Sequence, residues 1–318
     1  MSGPFRVVCA IDSQMTYALT VLLGSLSRTT TRSFRVTVGY LDNSLPAGDR
    51  NVVQDVAEAL GVDLDFLPLP SNPLFITQGH ISPTTFAKFL LADAISEPHL
   101  WLDVDTIVLP GWEGIIDTIT SARQEEGLVV AGRHAPQASS SDLAFNAGVL
   151  GWPSGTRRDW STPLAGMDSV ETQEQALFNR LYASTAITVS EKYNALTYHH
   201  DVLDQSNMPF IIHYAGAHKP WHLHRRHAHV CKASQCPWAA WFDAEEKLLT
   251  QTSGSAIHPA LEALKRSSLR SGRLHIGRDH NGLRLLRILT LLGPVAHALV
   301  WALRHSGRNF PRGTHPLH

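Results

Sequence analysis

Cysteine is scarce in this chain. Cys9, Cys231 and Cys236 are the only ones in 318 residues, too few for a disulfide framework, which sets aside the small secreted scaffolds held together by cross-links. The start lacks a charged n-region, an apolar h-region and a small-residue cleavage site. It enters the strand pattern Phe5-Arg-Val-Val-Cys-Ala-Ile11 almost at once, so export by a signal peptide is not expected and a reducing cytoplasm is. No apolar run suits a membrane span: the interval from Ile288 to Leu303 is free of acid, Lys and Arg, but it is short and broken by Gly293-Pro294. There is no internal repeat. Acid nearly disappears after Glu262, where Lys265, Arg266, Arg270, Arg273, Arg278, Arg284, Arg287, Arg304, Arg308 and Arg312 face only Asp279. The net charge of -1 therefore hides an acidic front and a basic tail. With 43% hydrophobic and 17% charged residues, the chain reads as a packed globule with room for one large α/β domain or two modest ones.

What is present is an alternation of strand and helix patterns. Phe5–Ile11 reads as a buried strand and Thr16–Leu26 as the helix after it; Phe34–Tyr40 and Asp49–Leu60 repeat the pair. Asp63–Phe66 is a short third strand, Thr84–Ile95 a helix, Leu100–Leu109 the central strand, and Leu128–Ala131 another. This order predicts an α/β fold with a doubly wound, mostly parallel sheet, whose ligands bind beyond the carboxyl ends of the strands, where Asp12, Asp103 and Asp105 lie. Pro136–Asp142 reads as a loop and Thr250–Ser255 as a linker. The expected division is a catalytic domain over 1–249, a linker over 250–272 and a basic amphipathic helical tail over 273–318.

Two segments carry chemistry. In Leu100-Trp101-Leu102-Asp103-Val104-Asp105-Thr106-Ile107-Val108-Leu109, the strand period places Asp103 and Asp105 on one side of an otherwise apolar strand. Two like charges there are costly unless neutralised, and a divalent cation with oxygen ligands would neutralise both and keep positions for diphosphate oxygens. Solvated strand-end acids are the plain alternative. A phosphatase attacking through aspartate is another, although Ile107 stands where that scheme commonly takes Thr or Val, and no downstream lysine and acidic pair completes it. The second segment, Phe210-Ile-Ile-His213-Tyr214-Ala-Gly216-Ala-His218-Lys219-Pro220-Trp221, ends the apolar strand Pro209–Ile212 on His213. A lone His in that place is ordinarily a core residue. Here Gly216 would allow close backbone approach to a diphosphate and Lys219 would supply a point charge. An imidazole with two carboxylates suits manganese first and magnesium second.

From about Phe5 to Trp221 these segments resemble glycosyltransferase family 8, the retaining transferases that include lipooligosaccharide α-galactosyltransferases and glycogenin. The resemblance implies a single nucleotide-sugar-binding domain of the glycosyltransferase A type and a UDP-sugar donor. Ala10-Ile-Asp12 with Tyr17 is similar to the uridine-binding opening, implying that Asp12 meets base or ribose and Tyr17 stacks on uracil. His80-Ile-Ser-Pro-Thr-Thr85-Phe-Ala-Lys88 is similar to the segment ending in a donor-binding basic residue, with His80 and Thr85 toward the acceptor. Leu102-Asp103-Val104-Asp105 looks like the metal signature, with Val104 beside the donor, and Phe145-Asn146-Ala147-Gly148 like the sugar-contacting strand, with Asn146 and Ala147 on the donor sugar. The His213 to Trp221 segment resembles the last motif, implying His213 on the metal and Gly216 and Lys219 on the diphosphate. The family's Asp-Gln-Asp run is altered to Glu174-Gln175-Ala176. The candidate nucleophiles implied by the resemblance are Gln175 and Glu174; an amide is a poor nucleophile, so front-face attack is the expected route to retention.

Two segments remain. His218, His222, His224, His227 and His229 precede Cys231 and Cys236, a group open to structural zinc or to a basic surface loop. In the tail, Leu283–Leu292 sets Arg284 and Arg287 opposite Leu285, Ile288, Leu289 and Leu292, which reads as an interfacial helix on anionic lipid or as a hairpin packed on the domain. The expected partners are the UDP-sugar, a saccharide or lipid-linked acceptor and an anionic membrane surface, with no nucleic acid. The expected location is cytoplasmic and peripheral on the inner face of the cell membrane. A non-catalytic, membrane-associated UDP-sugar-binding protein is the alternative.

Overall fold

The computed structural model describes residues 3–75, 82–123, 127–134, 143–155, 159–166, 174–197, 208–216, 219–222 and 238–276. The expectations for His80, the Pro136–Asp142 loop, most of the His/Cys segment and the tail beyond Ile276 lie outside the described residues.

The first half builds parallel units. Strand β1 (Phe5–Ala10) is followed by α1 (Thr16–Thr29), β2 (Phe34–Leu41), α2 (Ala47–Ala59) and β3 (Asp63–Leu69). A 3₁₀ turn (Pro83–Phe86) then leads through α3 (Ala87–Ala94) to β4 (His99–Leu102). The hydrogen-bonded order is β3-β2-β1-β4, all parallel, so the chain reverses its direction of travel across the sheet between β1 and β4. That reversal opens a crevice at the carboxyl ends of these two strands.

The second half extends the sheet with mixed pairing. After β5 (Thr106–Val108) and α4 (Gly114–Ser121) come β6 (Val129–His134), β7 (Leu143–Trp152), α5 (Ser161–Ala165), α6 (Glu174–Tyr182) and β8 (Ile187–Val189). Strand β7 lies antiparallel between β4 and β6, and β8 closes the edge parallel to β6. A small second sheet joins β5 antiparallel to β10 (Ile211–His213), which pairs parallel with β9 (Ala195–Leu196).

Pleat alternation divides the core. Val7 and Cys9 face one layer with buried residues of α1, α2 and α4, while Val8, Ala10 and Trp101 face the other with Phe89 and Leu91 of α3 and Phe178 of α6. The sheet is thus covered on both faces, as the doubly wound expectation requires.

Two local readings are corrected. The run Leu100–Leu109 is not one strand: it breaks at Asp103–Asp105 and feeds two different sheets, because Asp103 N donates to Gly148 O of β7 at 2.8 Å while Tyr214 N donates to Asp105 O at 2.8 Å. The stretch 250–272 is largely helical rather than a linker. It takes in the end of α7 (Ala239–Gln251) and most of α8 (His258–Ile276), and Ile257 and Leu261 are buried in the same core as α1. The polar Thr252–Ser255 run forms only the turn between these helices, while Leu261 and Leu264, three apart, turn one face of α8 onto the core. Among the described residues no helix is long and apolar enough to cross a membrane.

Candidate active site

The turn after β4 brings the two carboxylates together. Thr106 closes it, its N–H donating to Asp103 O at 3.2 Å and its hydroxyl to the same oxygen at 2.7 Å. Pairing of β10 with β5 then sets His213 opposite Thr106. Each carboxylate has one oxygen engaged and one aimed at the ring. Asp103 Oδ1 accepts from Trp101 Nε1 at 2.8 Å and lies 3.1 Å from Lys88 Nζ, leaving Oδ2 at 3.9 Å from His213 Nε2. Asp105 Oδ2 accepts from Lys219 Nζ, leaving Oδ1 at 3.2 Å from the same nitrogen. Ligand atoms of Asp103, Asp105 and His213 all fall within 4.8 Å of one another, so the three could hold one divalent ion. The mixed oxygen and nitrogen donors fit manganese or magnesium rather than a thiophilic metal.

Charge in the site is fixed by ion pairs. Lys88 is fully buried; burial alone would lower its pKa, but Asp103 and Glu174 outweigh that and hold it above the ordinary lysine value. Its partner Glu174, the first residue of α6, is buried and accepts from Lys88 Nζ at 3.0 Å. Burial would raise the Asp105 carboxyl, yet Lys219 and His213 together hold it well below the usual carboxylate range. Lys88 is therefore held charged, and Asp105 ionised, through the neutral range.

A second polar chain runs behind the ring. Asn194 Oδ1 lies 2.9 Å from His213 Nδ1, and Asn194 Nδ2 donates to Asn146 Oδ1 at 3.1 Å and Asn146 O at 3.3 Å. Asn146 Nδ2 donates to Gln175 Oε1 at 2.9 Å, which also receives Ala147 N at 3.4 Å. Asn179 ties α6 to β7 by donating to Phe145 O and accepting from Phe145 N, both at 2.8 Å. Gly148 leaves the space that the imidazole occupies: a Cβ there would stand 2.1 Å from His213 Cε1.

The remaining expected residues fall as follows. Asp12 lies just past β1 at the crevice, its carboxylate accepting from Gln14 N at 3.0 Å. Val104 is buried within the turn. Thr85 sits in the 3₁₀ turn and donates to Ser82 O at 3.0 Å. Gly216 adopts φ 98°, a left-handed backbone that favours glycine, with open space where a side chain would be. Tyr17 is the exception. It is 1% exposed, and its hydroxyl donates to Glu245 Oε1 at 2.6 Å, with Lys265 on the other carboxylate oxygen at 2.9 Å. A ring so enclosed has no open face for a base, and its place is that of a clamp between α1, α7 and α8. Trp101 and Asn194 are the site residues that sequence reasoning missed. Trp101 stood next to the motif but read as core, and no local pattern marks Asn194.

Solved structures share this architecture. A galactosyltransferase, LgtC, crystallised with donor and acceptor sugar analogs, superposes with a TM-score of 0.60 at 21% identity, over 81% of this chain and 100% of that one. The chain has the fold of a glycosyltransferase. The glycosyltransferase GlyE of Streptococcus pneumoniae TIGR4 gives a TM-score of 0.53 at 20% identity, over 80% of this chain and 64% of GlyE. By sequence, the glycosyltransferase GlyD of Streptococcus pneumoniae serotype 4 is 26% identical over 194 residues, which take in 52% of this chain but only 23% of GlyD. No family model matches the sequence. The resemblance to glycosyltransferase family 8 seen in the motifs agrees with these relatives.

Proposed function

We propose that the chain is a metal-dependent, retaining glycosyltransferase that moves a hexose from a UDP-sugar to a saccharide, lipid-linked or other hydroxyl acceptor. One observation carries the reading: the free oxygens of Asp103 and Asp105 and the Nε2 of His213 converge at the carboxyl edge of a sheet whose fold is that of LgtC. A bound divalent ion, manganese for preference and magnesium otherwise, would supply positive charge to a departing diphosphate.

The chain's own residues complete the chemistry. Lys219 stands beside the carboxylate turn, and Gly216, four residues ahead of Trp221's neighbour Pro220, offers unobstructed backbone to a phosphate. Lys88 keeps its charge in a buried place, where a fixed cation opposes developing negative charge without reorganisation. Asn146 and Ala147, on β7, would meet the donor sugar. Glu174 Oε1 is paired with Lys88 and Gln175 Oε1 is held by Asn146 and Ala147, so neither is a free nucleophile. This supports front-face attack, in which a phosphate oxygen of the donor takes the acceptor proton as the new glycosidic bond forms and the bond to the diphosphate breaks.

A panel of UDP-sugars with manganese, read by UDP release, tests the proposal. Release from one donor that chelator abolishes is the expected result. Tight UDP binding without release from any donor, with or without saccharide acceptors, would instead favour a non-catalytic sugar-nucleotide-binding protein. The peripheral membrane location proposed for the basic tail is tested separately, by sedimentation with anionic vesicles before and after truncation past Ser271.

A further inference from the structure

The orientation of the imidazole can be traced to a backbone amide. The N–H of Gly148 is a donor without ambiguity, and it lies 2.9 Å from the Asn146 side chain, which must therefore turn its Oδ1 toward it. The same Oδ1 lies 3.1 Å from Asn194, so the Asn194 atom facing it is the Nδ2 donor. Asn194 Nδ2 also faces the Asn146 carbonyl, at 3.3 Å, which accepts only. The oxygen of the Asn194 amide is thereby left facing His213 Nδ1 at 2.9 Å. An amide oxygen accepts, so Nδ1 carries a proton, and Nε2 is the ring nitrogen turned toward Asp103 and Asp105, 3.2 Å from Asp105 Oδ1, where a cation would take its lone pair.

From this relay we infer that Asn194 is a positioning residue that holds His213 as its Nδ1–H tautomer, so that Nε2 is free to ligate a divalent cation. The inference rests on the reading of Asp103, Asp105 and His213 as a cation site. A neutral imidazole has two tautomers, and only the one with bare Nε2 can serve a metal between these carboxylates. Asn194 is 6% exposed and His213 2%, so the amide, and not bulk water, is the partner of Nδ1. Asn194 has a second end. Through Asn146, on the strand proposed to meet the donor sugar, it reaches Gln175 at the start of α6, so the metal ligand and the proposed sugar-binding residues share one chain of hydrogen bonds.

The test uses the full chain, Asn194→Ala and Asn194→Asp, with two readouts. The first is manganese affinity, measured by the loss of the free-ion paramagnetic signal. The wild type binds; Asn194→Ala weakens binding by about 10- to 100-fold, the range for losing the partner of a metal-ligating histidine. Asn194→Asp keeps an acceptor for Nδ1–H and restores affinity, while its lost amide donor frees Asn146. The second readout needs no metal: ring nitrogen shifts of the metal-free protein at alkaline pH, with His213→Gln identifying the resonance. His213 is expected as Nδ1–H in the wild type and in Asn194→Asp, and as a tautomer mixture in Asn194→Ala.

A wild-type His213 protonated on Nε2 would overturn the inference, as would Asn194→Ala binding manganese as tightly as wild type. Failure of the wild type to bind manganese would refute the cation site itself, and the ring shifts would still decide the role of Asn194. If Asn194→Ala does not fold, the wild-type and Asn194→Asp shifts make the same decision.

Discussion

Replacing Gly148 by alanine should weaken the metal site without replacing any of its ligands. The added Cβ would lie 2.1 Å from His213 Cε1, 2.6 Å from its Nδ1 and 2.9 Å from Asn146 Oδ1. Ordinary contact begins near 3.4 Å, so the ring must retreat by about 1.3 Å. It has little freedom to do so. Nδ1 is held at 2.9 Å by Asn194, and the backbone of β10 is paired with β5 on one side and β9 on the other. Metal–ligand distances tolerate only about 0.2 Å, so a displacement of that size removes His213 from the donor set. The expected outcome is a loss of manganese affinity of about tenfold or more, together with a loss of about 1–3 kcal/mol of stability from overpacking. Titration of manganese and denaturant melts measure the two effects. Gly48→Ala, on α2 with open space around the new Cβ, is the control, and should bind as wild type and melt no lower. If Gly148→Ala held manganese as tightly as wild type, the ring would not be the ligand that its placement implies.

Two further predictions concern the core. Tyr17→Phe removes a hydroxyl that donates to a buried carboxylate at 2.6 Å, and should lower stability by about 1.5–3 kcal/mol in guanidinium melts; an unchanged midpoint would show that the Tyr17–Glu245–Lys265 clamp contributes nothing. Burial holds His99 down to about 4 from 6.5, so between those values the unfolded chain takes up a proton that the folded one refuses. Stability should therefore drop as pH falls through that window, by about 3 kcal/mol in all, and His99→Phe should abolish this part of the slope. Equal acid losses in both proteins would remove His99 as the cause.

The layout of the site was readable where a local pattern reflects a local cause. Apolar runs alternating with helical spacing announced the doubly wound sheet, and the pair Asp103/Asp105 with His213 announced a shared ligand, because charge inside apolar strands demands a partner. The reason given by the pleat was nevertheless wrong. Leu100–Leu109 is apolar on both sides of the acids, and periodicity cannot tell one strand from two that enter different sheets. It is the turn closed by Thr106 that makes the carboxylates converge. Asn194 stayed invisible for a related cause: its partners His213 and Asn146 lie 19 and 48 residues away, and only the packing of β9, β10 and β7 brings them together. Tyr17 misled in the opposite direction. Its position in a motif implied stacking on uracil, whereas α7 and α8, the second largely within the stretch expected to be a linker, enclose it.

Charge balance then sets the order of events under the proposed function. Asp103, Asp105 and Glu174 carry three negative charges, and Lys88 and Lys219, which pair with them, carry two positive ones. Among these five side chains one negative charge is left over, and both lysines are already engaged. An anionic diphosphate approaching alone meets repulsion, in a setting where burial strengthens every charge. A divalent ion reverses the sign of the cluster, and so the cation and the nucleotide should bind with positive coupling. By linkage that coupling is reciprocal: UDP should raise manganese affinity by the same factor as manganese raises that of UDP. Titrating each ligand in the absence and presence of the other measures it, and independent binding of the two would mean that the diphosphate does not sit on the Asp103–Asp105–His213 centre.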